Sequence, residues 1–200
     1  QTLTINNLAF ASKPTGSANN AVKATAGVVT FYNSTGIFSG ASFESDDGSA
    51  STGAIRWTGP EVLTWIGAIS TDWYTAGNWS SSLGGNGLPD ATKNAIIAAN
   101  AFNRNPTIDG SGGSASCKNL TINSTMILTL NTPAGASDLV INGDMQINVE
   151  VRMTSANDYI ETTGNWVKAP AGTSNLTNGT VTFTGTGSKT INNGTGTFKN

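Results

Sequence analysis

Few residues in this chain could do chemistry, and the most conspicuous are aromatic. Trp65, Trp73 and Trp79 stand eight and six residues apart, and Tyr74 sits beside the second of them. If their faces are exposed, Trp65, Trp73, Tyr74 and Trp79 would stack on sugar rings and form a glycan-binding platform. If the indoles pack on one another, they close one end of a stack of strands by burying large apolar area. The packed arrangement is the preferred reading. Alanine substitution separates the two, because a cap predicts loss of folding and a platform predicts a folded protein that no longer retains polysaccharide.

The remaining candidates for chemistry have simpler explanations. Glycoside hydrolysis needs two carboxylates about 5–10 Å apart, and lyase chemistry needs a base and cations on one face. The acids from Asp138 onward are Asp138, Asp144, Glu150, Asp158 and Glu161; the cations from Lys118 onward are Lys118, Arg152, Lys168, Lys189 and Lys199. Glu150 and Arg152 share a strand face, since residues i and i+2 point the same way, and a surface ion pair accounts for them. Asp138, Asp144 and Asp158 flank strand starts and read as turn residues that bond their own backbone. Asp46-Asp47 with Glu44 could ligate calcium, but no calcium-loop spacing surrounds them, and Asp-Asp-Gly is a common turn. Cys117 is the one cysteine, and the chain has no histidine. Without a cationic neighbour to lower its pKa, Cys117 reads as a small buried hydrophobe. The sequence therefore predicts no catalytic residue, no metal ligand and no cofactor, and the chain is read as non-enzymatic. Seven Asn-x-Ser/Thr sequons (Asn33, Asn78, Asn119, Asn123, Asn175, Asn178, Asn193) follow from a composition rich in Asn and Thr.

The elements that must position these residues are strands. The 200 residues include 24 Gly; 37% are hydrophobic and only 11% charged. That balance argues against disorder, and the excess of Thr, Val and Ile favours strand over helix. The net charge is −2 and the ten basic residues are scattered singly, which leaves no stripe for nucleic acid. No apolar run approaches the roughly 20 residues of a membrane span. A polar, lysine-poor, Ser/Thr/Asn/Gly-rich β protein suggests a secreted or cell-surface location.

Three regions follow. Residues 1–58 read as an N-terminal β segment, with strands at Leu3–Ile5, Val28–Tyr32, Gly36–Phe38, Ala41–Phe43 and Ala54–Trp57, and turns at Lys13–Gly16 and Asp46–Gly48. Residues 59–105 read as a Trp-rich cap or connector carrying one strand, Ala95–Ala98. From 106 to 200 the alternation Leu120/Ile122, Ile127/Leu130, Leu139/Ile141, then Met145, Ile147, Val149, Val151 and Met153 is the period of half-buried strands. Leu120, Leu139, Ile160 and Val181, at intervals of 19, 21 and 21 residues, suggest coils of a repeat architecture. The expected fold is all-β, a right-handed parallel β-helix or solenoid; the alternative is an antiparallel β-sandwich.

The order of the Trp-rich motifs is also familiar. Trp65-Ile-Gly, Ser70-Thr-Asp-Trp73 and Ala76-Gly-Asn-Trp79 are followed by Pro89-Asp90, Ile96-Ile97, Pro106-Thr-Ile108 and Cys117-Lys-Asn-Leu120-Thr-Ile122. With Gly164-Asn-Trp166 and Gly179-Thr-Val-Thr-Phe-Thr-Gly185, this string resembles a segment recurrent in large, repeat-rich secreted proteins of Bacteroidota. The resemblance covers about 59–200. It implies a non-enzymatic adhesin or filament component exported by the type IX route, although the C-terminal sorting domain of exported members is missing.

The termini suggest how such coils could continue. Phe198-Lys199-Asn200 is similar to Cys117-Lys118-Asn119, which Leu-Thr-Ile-Asn follows, and Leu3-Thr-Ile5-Asn6 supplies that phrase at the other end. Either the chain is a segment of a longer protein, or one subunit's first strand completes another's last coil. Leu3, Ile5 and Phe198 are then the candidate self-association residues. The expected partners are copies or neighbouring segments of the same protein, with polysaccharide as the alternative.

Overall fold

The computed structural model describes residues 2–6, 28–32, 54–58, 60–82, 85–123, 125–133, 138–196 and 198. The chain divides into two compact units, Gln1–Glu61 and Val62–Asn200.

The first unit contains a three-stranded parallel sheet of β1 (Thr2–Asn6), β2 (Val28–Tyr32) and β3 (Ala54–Thr58), in that order. Thr2 pairs with Val28 and Val28 with Ala54, an interval of 26 residues each time. The expected strands at Gly36–Phe38 and Ala41–Phe43, the two expected turns, and Glu44, Asp46 and Asp47 lie outside the described residues.

The second unit is a parallel β-helix. After β4 (Val62–Trp65) and β5 (Trp79–Ser81), the first full coil comprises β6 (Asn94–Ile97), β7 (Thr107–Ile108) and β8 (Ala115–Cys117). The second coil is β9 (Leu120–Ile122), β10 (Ile127–Leu130) and β11 (Leu139–Ile141). The third is β12 (Met145–Ile147), β13 (Glu150–Met153) and β14 (Tyr159–Thr162). The fourth is β15 (Trp166–Lys168), β16 (Thr173–Asn175) and β17 (Thr180–Phe183), and β18 (Ile191–Asn192) opens the next. Stacking produces a long face ordered β18-β15-β12-β9-β6-β4-β5, a second face β16-β13-β10-β7 and a third face β17-β14-β11-β8. Among the described strands every pair is parallel except β4–β5. That pairing rules out the antiparallel sandwich.

Alternation is what drives the stack. Leu63, Ala95, Leu120, Met145 and Trp166 fall in register down the long face, as do Trp65, Ile97, Ile122 and Ile147. All of them are buried. On the other faces Ile108, Leu130 and Met153 form one buried column and Leu139 lies directly on Ile160. Each such Leu or Ile contributes about 1.5–3 kcal/mol on burial, and a coil alone could not bury both of its edges. Cys117 occupies one inward slot, paired with Ile141 and fully buried.

Three expectations change in detail. Leu139, Ile160 and Val181 do stack on the third face, but Leu120 stacks on Ala95 and Met145 of the long face. The first step of 19 residues was therefore a change of face within one coil. The pair buried in β10 is Leu128 and Leu130, while Ile127 is half-buried, because residues three apart cannot share a strand face. Finally, β4 and β6 already belong to the long face, so the region 59–105 is part of the solenoid rather than a connector before it.

Side-chain amides rivet the corner leading into the long face. Asn119 Nδ2 donates to Asn94 Oδ1 (2.9 Å), Asp144 N to Asn119 Oδ1 (2.8 Å), Asn165 N to Asp144 Oδ1 (2.7 Å), and Thr190 N to Asn165 Oδ1 (2.9 Å). One polar residue per coil thus satisfies backbone N–H groups that the turn would otherwise strand.

Candidate functional site

The tryptophan motif folds into a self-satisfied clip at the first-coil end of the solenoid. β4 covers β6 on the long face, and the segment around Asp72 bridges Thr107 of β7 on the second face. A 3-10 turn, Ala76–Asn78, then reverses the chain so that β5 runs antiparallel along β4. Asn78 organises this reversal. Its Oδ1 accepts from the N–H groups of Ile69 (2.8 Å) and Ser70 (2.9 Å), and its Nδ2 donates to Ser70 Oγ (2.9 Å) and Asp72 O (2.8 Å). Asp72 accepts from Tyr74 N (2.9 Å) and the Thr75 hydroxyl (2.7 Å). Gly67 takes a φ of +55°, and a Cβ there would press on Arg104 Cβ at 3.1 Å. Arg104 in turn donates to the carbonyls of Gly67 (2.9 Å) and Ala68 (2.8 Å). The Ser-x-Asp-Trp and Gly-Asn-Trp phrases thus specify one turn.

Trp65, Trp73 and Trp79 are 0%, 1% and 0% exposed. Trp79 meets Trp65 edge-on at 5.1 Å and Trp73 at 4.6 Å between ring centroids. Their polar tips are satisfied internally, Trp65 Nε1 donating to Arg104 O (2.7 Å) and Trp79 Nε1 to Trp73 O (2.8 Å). Burial leaves these rings no face on which a sugar could stack, so the structure places them in the core rather than on a platform. Half-buried Tyr74 packs its ring over Gly112 and donates its hydroxyl to Gly113 O (2.6 Å). Desolvation, with the carboxylates of Asp109, Asp138 and Asp72, pushes its hydroxyl pKa up to about 12.

Asp158 makes the expected bonds to its own turn, from Thr154 N and Ser155 N, whereas Asp138 and Asp144 reach to the next coil. Asp144 accepts from Asn165, one coil on. Asp138 and Asp158 are buried at the corner between the second and third faces. Asp158 accepts three N–H bonds, from Thr132, Thr154 and Ser155, each 2.7 Å. Asp138 Oδ2 accepts one, from Tyr159 N. Burial raises the Asp138 pKa, and the neighbouring Asp158 charge adds to the rise, while the nearby Thr132 hydroxyl and the Tyr159 N–H oppose it. A strand-start aspartate looks the same in sequence whether it faces solvent or the next coil, so no local signal marked this corner.

Glu150 and Arg152 form the ion pair that their spacing suggested, at 2.8 Å, pointing outward from the second face. Burial alone pushes the Cys117 thiol far above its ordinary range, so it resists ionisation. Among the described residues no three His, Cys, Asp or Glu side chains come together as a metal site. No helix among them is long and apolar enough to cross a membrane. Lys168 points inward, its Nζ donating to Gly172 O (2.7 Å).

The candidate self-association residues belong to different units. Leu3 and Ile5 belong to β1, an edge strand of the first unit's sheet. Phe198 is half-buried against Trp166 (5.7 Å) and Phe183 (5.8 Å) and bridges Leu176. Phe198 therefore continues the second face, whereas Cys117 lies on the third, and the two are not equivalent positions. Comparison of the chain with protein-family models, with curated proteins and with solved structures finds no match.

Proposed function

We propose that this chain is a non-enzymatic structural segment of a secreted or cell-surface protein, an adhesin or filament element of the kind its Trp-rich string resembles in Bacteroidota. It acts as a rod section that extends by adding coils end to end, either from the same protein or from a second copy. One observation carries this reading: the two ends of the long face differ. At the first-coil end the parallel order is broken by the antiparallel β5 and sealed by three tryptophans. At the other end of that face the edge strand is the parallel β18, whereas on the other two faces the first-coil strands β7 and β8 are edges just as β16 and β17 are. Bare parallel edges are templates for further strands, and a head-to-tail contact that does not close grows linearly.

Size-exclusion chromatography with light scattering, and negative-stain microscopy, test the reading on the isolated chain. Concentration-dependent linear oligomers are expected; a strict monomer at high concentration defeats the stacking part. A glycan array provides the contrary arm, because specific retention of a polysaccharide would favour a carbohydrate-binding module instead.

A further inference from the structure

The corner that joins the second and third coils contains a chemical imbalance. Asp138 and Asp158 are both buried there, and no lysine or arginine hydrogen-bonds or ion-pairs with either among the described residues. The short stretch 134–137 preceding Asp138 is Ala-Gly-Ala-Ser and holds no titratable group. The Tyr74 hydroxyl, which feels the Asp138 charge, is an acid as well. Two buried carboxylates side by side, without a cation, cannot both remain charged cheaply.

The hydrogen bonds show which one gives way. Asp158 accepts three backbone N–H groups, an arrangement suited to a carboxylate. Asp138 accepts one, through Oδ2. Its Oδ1 is buried without a partner, and so is the hydroxyl oxygen of Thr132, which lies against it. The Thr132 hydroxyl could donate to an ionised Asp138, but that would leave two negative charges in the same dry corner. A proton on Oδ1 resolves both problems, because it supplies a donor for Thr132 Oγ1 and removes one charge.

We propose that this corner is a proton-operated joint: Asp138 carries a proton on Oδ1 and donates it to Thr132 Oγ1, and its release as pH rises loosens the contact between the second and third coils. The O–H bond of the acid breaks, the proton passes to solvent, and the carboxylate left behind faces Asp158. An acid held in its protonated form by folding lends stability that is fully present below the ordinary carboxyl pKa. That stability is lost as pH rises through the folded-state value.

Two measurements test the joint. Carbon-detected NMR of the intact chain should show the Asp138 carboxyl titrating above the ordinary value of 3.8, whereas that of Asp109, held down by the Ser111 hydroxyl, titrates below it. A midpoint for Asp138 at or below the ordinary value overturns the proposal. Thermal melts of the wild type and Asp138→Asn from pH 4 to 9 give the second readout. Asparagine keeps an acceptor for Tyr159 N and a donor for Thr132 without the charge. The variant should therefore melt about 2–4 °C above wild type at the alkaline end, with the gap closing towards pH 4. The rival is a bound cation in place of the proton. If millimolar calcium or sodium raises the wild-type melt at pH 8 but leaves Asp138→Asn unmoved, the proton model is overturned.

Discussion

Asn78 concentrates more of the fold than any other single polar side chain in the tryptophan clip. It is completely buried and makes four side-chain hydrogen bonds, two as acceptor and two as donor. Asn78→Ala would strand the N–H groups of Ile69 and Ser70 where water cannot replace the lost acceptor. The expected loss is about 2–5 kcal/mol, measured by urea denaturation. Asn78→Asp should fall between the two, since it keeps both acceptors but sets an oxygen against Asp72 O. Tyr74 gives a prediction of a different sign structure. Its folded-state pKa of about 12 exceeds the ordinary 10.0, so its contribution is intact below pH 10 and disappears as pH rises through 12. Tyr74→Phe should cost about 0.5–1.5 kcal/mol at neutral pH through the bond to Gly113 O. It should also flatten the stability decline between pH 10 and 12, followed by circular dichroism alongside tyrosinate absorbance. The same burial that silences the Cys117 thiol explains why that residue reads as packing rather than reactivity.

At the scale of the element, coil-to-coil spacing is enforced at corners, and glycines show where it is tightest. A Cβ on Gly164 would collide with the backbone of Gly143 and with Asp144 Oδ1 in the coil before it. Backbone cannot swing aside, so Gly164→Ala should destabilise by about 1–3 kcal/mol. Gly87 is the contrast: a Cβ there meets only Leu63 Cδ1 at 3.5 Å, ordinary contact. Gly87→Ala should be neutral or stabilise by about 0.4–1 kcal/mol through the unfolded chain. Paired melts of the two variants check both. The strands themselves were legible, because Leu120-Thr-Ile122 and Leu139-Val-Ile141 carry the period-2 pattern openly. Their stacking was not, since three faces of one coil repeat the same buried-outward-buried triplet. Two similar phrases can therefore sit on different faces, as these do. Register is carried instead by spaced polar residues, Asn94, Asn119, Asp144 and Asn165, whose hydrogen bonds become visible only once the coils are stacked. The packing of the Trp cluster in the core was legible from its composition. The Asp138–Asp158 corner was invisible because its partners lie a coil away.

For the whole molecule, the proposed end-to-end extension makes the difference between the two ends of the long face testable. The first-coil end contains Trp65, Trp73 and Trp79 locked edge to face, with the indole N–H groups of Trp65 and Trp79 bonded to backbone carbonyls. The fourth coil ends differently: its inward positions turn polar at Ser174 and Lys168, and Ile191 on β18 is 50% exposed. β18 pairs only with β15 among the described strands, and on the proposed reading its opposite edge is where the next strand adds along the long face. A lysine at such an edge opposes strand addition by placing a hydrated charge where the next coil would stack. Ile191→Lys should leave the melt within about 0.5 kcal/mol of wild type, as expected of a half-exposed surface site. It should also abolish the concentration-dependent growth that the proposed stacking predicts, followed by light scattering. Trp79→Ala acts at the other end and by another route. Removing a fully buried indole costs about 3–5 kcal/mol, so this variant should lose the fold before it loses association. If Ile191→Lys assembles as well as the wild type, growth does not proceed through the β18 edge, and stacking along the long face is not how this rod extends.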